Sequence, residues 1–232
     1  MVEFIYKYPI IETSGRDVIL SSHATPIERG EFYKQEIERH LQWLPPQFAV
    51  EIVNILLCDP KKKQWLIQER SEEKRHNPGL YDKTVGWHLQ VLPNNTSSET
   101  AQFETLEELR IPSYTFENDD AFQRGYEKFK GLLDHVAILK QIDTKPLIYK
   151  RIMKIWEQTE VIDIASKVHV FFGVYEWPVK NNDWESGGFS FRSMESLKEK
   201  IAKHPDMYTD DLATLISIYG TRLMEELQQL SR

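Results

Sequence analysis

The stretch that decides the fold is 104–109, which reads Glu-Thr-Leu-Glu-Glu-Leu. On an α-helix, Glu104, Glu107 and Glu108 stand at positions i, i+3 and i+4, so their carboxylates lie on one face. Like charges at this spacing repel one another and destabilise an isolated helix. A hard divalent cation that prefers oxygen ligands, such as Mg²⁺, would turn this repulsion into a binding site. A solvated acidic helix face is the plainer alternative, and the flanking sequence has to separate the two.

The composition limits the classes of protein to which the chain can belong. It has 232 residues, of which 41% are hydrophobic and 12% aromatic, enough to bury a core in a folded protein. The 29 Lys and Arg residues against 36 Asp and Glu give a net charge of −7. This balance argues against a general nucleic-acid binder or a membrane-surface protein. It is compatible with a local basic patch that holds a small anion.

The single cysteine, Cys58, lies at the end of an apolar run. One cysteine cannot form an internal disulfide, and a reducing cytoplasm is its simplest setting. We expect it to be a small buried hydrophobic residue rather than a catalytic thiol. The chain shows neither an apolar signal-peptide region nor an apolar run long enough to span a bilayer. These features predict a soluble, cytoplasmic protein.

Hydrophobic periodicity and turn residues predict one domain of mixed strands and helices. Strands are expected at 3–9, 17–20, 50–57, 64–70, 83–91, 168–175 and 187–191. Helices are expected at 26–42, 98–109, 119–133, 146–158, 193–203 and 209–229. Because strands and helices do not alternate strictly, the pattern predicts an α+β fold or a layered α/β/α sandwich.

The order of these features resembles the Nudix hydrolase family. The run 103–111, with its three glutamates and closing apolar Ile111, is similar to the family's signature helix. It follows a glycine-containing strand and loop, here 85–88, as the signature requires. The resemblance covers most of the chain except part of 112–165. It implies a Nudix-type α/β/α sandwich with a mixed central sheet and a helical insertion.

On this resemblance, residues 1–232 form a single Nudix-like domain with four parts. The N-terminal strands and helix occupy 1–48, and the hairpin and signature helix occupy 49–111. An insertion is expected at 112–165, and the closing strand and helices at 166–232.

The resemblance implies a MutT-like pyrophosphohydrolase that cleaves a diphosphate linked to another group, of the nucleotide type or another small diphosphate. It implies that Glu104, Glu107 and Glu108 are catalytic and hold Mg²⁺ or Mn²⁺, with His88 as a further candidate ligand. The implied partner is a small diphosphate substrate rather than a nucleic acid or a membrane. A homodimer is left open.

Two cations and one glycine are expected to bind the substrate. The most similar branch of the family includes isopentenyl-diphosphate isomerase, which grips a diphosphate with an arginine and a lysine four residues apart, as Arg70 and Lys74 are here. A guanidinium can chelate two phosphate oxygens, and an ammonium supplies a point charge. The backbone of Gly86 would line the loop near the metal. Two exposed cations at a strand end are the plain alternative.

The chain departs from the family signature at several positions. Phe103 stands where the family has an arginine that orients a catalytic glutamate, and Trp87 replaces the second glycine of a pair. Arg110 replaces the glycine after the helix, at a cost of about 1–2 kcal/mol if that position needs a left-handed conformation. The stretch 92–98 contains no acidic residue, and Gly86 stands where the isomerase has its catalytic cysteine. A catalytically weak or inactive Nudix-fold module that binds a ligand or a partner is therefore the main alternative, and an isomerase-like enzyme is the third.

Overall fold

The computed structural model describes residues 2–155, 158–176 and 186–230. The strands are β1 (Phe4–Ser14), β2 (Asp17–Leu20), β3 (Thr25–Glu28), β4 (Phe48–Asp59), β5 (Gln64–Arg70), β6 (Tyr81–Asp82), β7 (Val85–His88), β8 (Ser113–Phe116), β9 (Ala137–Ile155), β10 (Gln158–Val174) and β11 (Ser186–Arg192). The helices are α1 (Arg29–Leu41), α2 (Ser97–Leu109), α3 (Asp119–Phe129), α4 (Met194–Lys203) and α5 (Asp210–Gln229), with a 3₁₀ turn at Pro205–Met207.

The strands form a mixed sheet in the order β11-β5-β4-β10-β9-β2-β1-β3. Three short strands extend it, because β6 pairs with β5, β7 with β4 and β8 with β9. Strand β10 runs parallel to β4 and antiparallel to β9. A mixed sheet covered by helices confirms the predicted α+β class.

Strand β4 lies at the centre of the molecule, and every residue after Phe48 in it is buried. On one face of β4, Ile52 and Leu56 belong to a hydrophobic cluster that includes side chains of α1, α3, α4 and α5. On the other face, Val53 and Ile55 pack in a second cluster with Ala101 and Leu109 of α2. Helices therefore cover both faces of the sheet, as in an α/β/α sandwich.

The helix predicted at 146–158 is wrong, because 137–155 forms the long strand β9. Alternate residues from Leu147 to Ile155 are buried, which is the period of two expected of a strand. Strand β9 pairs with β10 from Ala165 back to Gln158 along this stretch, so its backbone groups bond to a partner strand. Residues 156 and 157 lie outside the described residues. Among the described residues, the region 112–165 contains one helix, α3, together with β8, β9 and the first part of β10, rather than a mainly helical insertion.

Two predicted boundaries in the N-terminal half also change. Helix α1 begins at Arg29 rather than 26, because Thr25–Glu28 is a strand that pairs with β1, with Pro26 opposite Tyr6. The strand predicted at 83–91 is shortened to β7, which pairs with β4 only from Ile52 to Ile55. The other predicted helices and strands are confirmed, with unchanged bounds for the strands at 17–20 and 64–70 and shifted ends for the rest. None of the helices in the described ranges is long and apolar enough to cross a membrane.

Candidate functional site

A cavity of about 900 Å³ lies between α1, the segment that joins β5 to β6, strand β7 and the end of β9. Among the described residues that line it, eight are basic and five are acidic, so basic groups exceed acidic groups by three. The basic residues are Arg29, Lys34, Arg70, Lys74, Arg75, Lys83, Arg151 and Lys154. The acidic residues are Glu38, Glu73, Asp82, Glu108 and Asp211. The cavity thus has the opposite charge balance to the whole chain, and an anionic ligand suits it.

Asp82 is a buried carboxylate that fixes two cations at the cavity. Nη1 of Arg70 lies 3.0 Å from its Oδ2, and Nζ of Lys83 lies 3.1 and 3.3 Å from its two oxygens. The hydroxyl of Thr209 donates to Oδ1 at 2.7 Å. Burial alone would raise the pKa of Asp82, but Lys83, Arg70 and these hydrogen bonds outweigh it and hold the pKa well below its usual value. Asp82 is therefore ionised at neutral pH and holds both cations in place.

Gly86 makes room for the side chain of Lys83. A Cβ atom on Gly86 would lie 2.2 Å from Cε of Lys83 and 3.0 Å from Oδ1 of Asn54. Asn54 is opposite Gly86 in the β4–β7 ladder and is 1% exposed. Neither the nitrogen nor the oxygen of its side-chain amide is hydrogen-bonded within the described ranges. Gly86 lines the cavity, and its missing side chain leaves room for Lys83.

His88 is linked to Tyr33 of α1 and, through the Tyr33 hydroxyl, to Arg151 of β9. Its Nε2 lies 2.9 Å from the hydroxyl of Tyr33, to which Nη1 of Arg151 donates at 2.7 Å. Nη2 of Arg151 lies 3.8 Å from Oδ1 of the buried Asp211. Burial, followed by the charges of Arg151 and Arg29, lowers the pKa of His88 well below its ordinary value. His88 is therefore a neutral imidazole at pH 7, next to cations, with its Nε2 already engaged by Tyr33.

The three glutamates of the signature stretch do not share one environment. Glu104 and Glu108 are 3% and 8% exposed, whereas Glu107 is exposed to solvent. Glu108 lines the cavity, and Nε2 of Gln68 donates to its Oε2 at 3.3 Å. The described residues contain no group of three or more His, Cys, Asp or Glu side chains placed to hold a metal ion.

Two buried carboxylates one helical turn apart nevertheless suit a magnesium ion. Mg²⁺ is usually held by one or two carboxylates and completes its coordination with water and substrate phosphate oxygens. Glu104 and Glu108 are oxygen ligands of this kind, and both lie on the buried side of α2. The residues present therefore fit Mg²⁺ or Mn²⁺ that is completed by a bound phosphate compound.

The local structure of α2 explains how these glutamates are positioned. Thr96 caps the N-terminus in a capping box with Glu99, in which Thr96 Oγ1 accepts from the Glu99 N–H and the Glu99 carboxylate accepts from the Thr96 N–H. The helix ends at Arg110, whose φ of 58° and ψ of 30° are left-handed. This is the conformation expected where the family has glycine. Phe103, in the place of the family's arginine, is 55% exposed.

The structure brings together most of the residues predicted from sequence. Arg70, Lys74, Gly86, His88 and Glu108 all line the one cavity. Glu104 is buried one turn before Glu108, and Glu107 faces away from the buried side of α2. At Trp87, the guanidinium of Arg29 lies 4.8 Å from the ring centroid, so the tryptophan forms part of a stacked cavity wall.

Sequence reasoning missed several cavity residues. Asp82 and Lys83 lie within four residues of Gly86 in the sequence, and this short spacing is the signal that could have found them. Tyr33 and Arg151 carried no such signal. In the sequence, Tyr33 is indistinguishable from the other apolar positions of an amphipathic helix. Arg151 lies within the helix wrongly predicted at 146–158.

No protein-family model matches the chain, and no curated protein matches it. Among solved structures, it is similar to DR0079 from Deinococcus radiodurans, at 19% identity over 72% of this chain and 80% of that one, with a TM-score of 0.49. A MutT protein from Methanosarcina mazei Go1 shares 17% identity over 79% of this chain and 96% of that one, with a TM-score of 0.39. A bifunctional NMN adenylyltransferase/ADP ribose pyrophosphatase from Francisella tularensis, complexed with AMP and a Mn ion, shares 15% identity over 83% of this chain and 48% of that one, with a TM-score of 0.43. At such values, the similarity carries no statement about activity, which depends on the site itself.

Proposed function

We propose that this chain is a metal-dependent Nudix-type hydrolase that cleaves a diphosphate linked to another group. The observation that carries the proposal is the charge of the cavity, whose described lining has three more basic than acidic residues in a chain of net charge −7. Its volume of about 900 Å³ suits a small molecule. A diphosphate supplies the complementary charge, and Glu108 on the cavity wall supplies a metal ligand beside it.

Glu104 and Glu108 would hold Mg²⁺ or Mn²⁺, with the exposed Glu107 as the third carboxylate of the predicted set. When bound, such a metal polarises a phosphoryl oxygen and lowers the pKa of a bound water. Gln68 donates to Glu108 and so restrains the carboxylate at the cavity wall. Restraint of this kind matters because partners of metal ligands affect activity by about 10–100-fold.

The basic residues of the cavity would bind the diphosphate and offset its charge. Arg70 is restrained by Asp82 and by a hydrogen bond of 3.1 Å from its Nε to the carbonyl of His76, and it lines the cavity in that position. Lys74, four residues later, lines the same cavity. Cations held in place before the reaction stabilise the negative charge that develops on the departing phosphate without further rearrangement.

A ligand-binding module without catalysis is the second candidate. The observation that favours it is Phe103, whose exposed ring cannot donate a hydrogen bond and which stands where the resembled family has an arginine that orients a catalytic glutamate. Such a module would use the same basic cavity to bind a diphosphate and would leave it intact.

The site supports the isomerase hypothesis less than it supports the hydrolase or the binding module. Cys58 is a buried free thiol on β4 whose pKa burial raises well above its ordinary value, and it does not line the cavity. Gly86 occupies the position of the isomerase cysteine. The cytoplasmic location expected from this lone cysteine stays a prediction.

A metal-supplemented screen tests the hydrolase proposal. The purified protein would be incubated with a library of small diphosphate compounds and Mg²⁺ or Mn²⁺, and phosphate-containing products would be measured. Because a metal supplies several kcal/mol of transition-state stabilisation, Glu108→Gln and Glu104→Gln should each lower turnover by about 100-fold or more. Glu107→Gln should have a smaller effect, since Glu107 is exposed.

Glu117→Gln is the matched control, because Glu117 is an exposed glutamate that does not line the cavity. It should retain wild-type turnover. Wild-type turnover by Glu108→Gln would exclude the assigned metal site. Binding of diphosphates with no turnover of any library member would favour the binding module.

A further inference from the structure

A buried lysine and a partly buried arginine share a single carboxylate at the cavity. The side chains of Lys83 and Arg70 are 8% and 18% exposed, and that of Asp82 is 3% exposed. Within the described ranges, Asp82 is the only carboxylate that forms an ion pair with either cation. Desolvated charges are costly unless they are paired, so two cations on one carboxylate favour a further anion beside them.

The position of Lys83 is set by the neighbouring glycine. Its side chain crosses Gly86 at a distance that any Cβ atom would block, since Cε of Lys83 lies 2.2 Å from where that atom would stand. Lys83 lines the cavity in this position while its Nζ contacts Asp82. Because Lys83 needs a glycine at position 86 to reach the cavity wall, its position is set by the fold, unlike that of a solvated surface lysine.

Beside Lys83, the side-chain amide of Asn54 has no hydrogen-bond partner among the described residues. Asn54 lines the same cavity, and its amide nitrogen and oxygen make no hydrogen bond to the described residues although the residue is only 1% exposed. Its Oδ1 and Nζ of Lys83 both lie 3.0 Å from the position of a Cβ on Gly86. A buried amide left without partners destabilises the protein, and a bound ligand that reaches the amide relieves this cost.

We propose that Lys83 and Arg70 form a phosphate subsite in the cavity, and that position 86 is glycine so that Lys83 can reach it. This inference rests on the proposed function, in which the ligand is a diphosphate, and it makes Lys83 a binding residue beside Arg70. The ammonium of Lys83 supplies a point charge to one phosphate group, and the remaining N–H groups of Arg70 donate to its oxygens. The amide of Asn54 lies beside the same subsite.

The test measures the binding of inorganic pyrophosphate by titration calorimetry, with a chelator and without divalent metal. Removing metal and turnover isolates the contribution of the basic side chains. Lys83→Met should raise the dissociation constant at least about tenfold, because it removes a desolvated charge from the subsite. The variant leaves Asp82 paired with Arg70 one to one, so the fold should be retained, and its melting temperature would be measured to check this.

Gly86→Ala provides an independent variant, because it changes no charge. Its Cβ would displace the flexible end of Lys83, and we expect a similar loss of pyrophosphate affinity. Lys61→Met is the matched control for net charge, since Lys61 is an exposed lysine outside the cavity that pairs with Glu176. It should bind pyrophosphate within twofold of wild type.

The subsite would be overturned if wild-type protein failed to bind pyrophosphate, or if folded Lys83→Met bound it within threefold of wild type. Unchanged binding by Gly86→Ala would overturn the role given to the glycine. The result of this binding test can be distinguished from the result of the hydrolase screen. Loss of binding in Lys83→Met would support the subsite even in a protein that turns over no substrate, and turnover with unchanged binding would overturn the subsite alone.

Discussion

At the scale of single residues, Glu36 shows how burial links stability to pH. It lies on α1 with 3% of its surface exposed. Burial raises its pKa to about 7, against the opposing effects of Arg39, a backbone hydrogen bond from Gln47 and Lys7. The folded-state pKa therefore lies above the unfolded value. Its contribution to stability is fully present below the unfolded pKa, near 4.5, and is lost as pH rises through about 7.

Replacing Glu36 by glutamine should remove this pH dependence. Between pH 5 and pH 8.5, the free energy of unfolding of wild-type protein should fall by about 2 to 3 kcal/mol more than that of Glu36→Gln, because glutamine has no proton to lose. Urea denaturation at the two pH values measures the difference. Equal changes in both proteins would show that Glu36 is ionised at little cost in the fold.

At the scale of elements, helix α2 ends in a strained residue. Arg110 has a left-handed backbone with φ of 58°, and its N–H donates to the carbonyl of Leu106 at 3.0 Å. Residues with a Cβ atom pay for this conformation, and glycine does not. The strain lies directly after the buried pair Glu104 and Glu108.

Arg110→Gly should raise the free energy of unfolding by about 1 kcal/mol, because it relieves this strain. Thermal or urea denaturation measures the change. Lys130→Gly at the end of α3 is the control, since Lys130 has a right-handed backbone and glycine there should not stabilise the protein. A stability of Arg110→Gly at or below that of wild type would show that the left-handed conformation carries little strain.

Some helices and strands could be predicted from the sequence, and others could not. The helix predicted at 98–109 is α2 at Ser97–Leu109, because its capping box and turn residues are local to the chain. The hairpin of β4 and β5 is likewise predicted from local sequence, because two strand-like runs flank a turn. The stretch 146–158 was misread because its strand character depends on pairing with β10, which the chain reaches only after a reversal.

At the scale of the whole molecule, the charges are distributed unevenly. The chain has a net charge of −7, whereas basic groups exceed acidic groups at the cavity. We therefore expect the attraction of the cavity for the proposed diphosphate to be local and electrostatic, and to be opposed by the net negative charge of the rest of the chain. Mobile ions screen such interactions over a distance of about 10 Å at 0.1 M salt.

Salt should therefore weaken ligand binding. Raising NaCl from 50 to 500 mM should increase the dissociation constant for inorganic pyrophosphate by about tenfold, because screening removes much of the long-range attraction. Titration calorimetry across this series measures the slope, with sucrose of equal osmolality as the control. A dissociation constant that stays constant with salt would show that the basic lining does not set the affinity.

The sequence by itself predicted a helix over the signature stretch 104–109 with its glutamates on one face, and it predicted Arg70, Lys74 and Gly86 as substrate-binding residues, all three of which line the cavity. These features depend on spacing along the chain, which is visible without a structure. Only the tertiary structure decided which glutamates are buried and which basic side chains line the cavity. Glu107 faces solvent while Glu108 reaches the cavity, because the packing of α2 against the sheet selects one side of the helix. Asn54 of β4, Arg151 of β9 and Lys83 of the connection between β6 and β7 come from distant parts of the chain, and pairing within the sheet brings them to the same cavity.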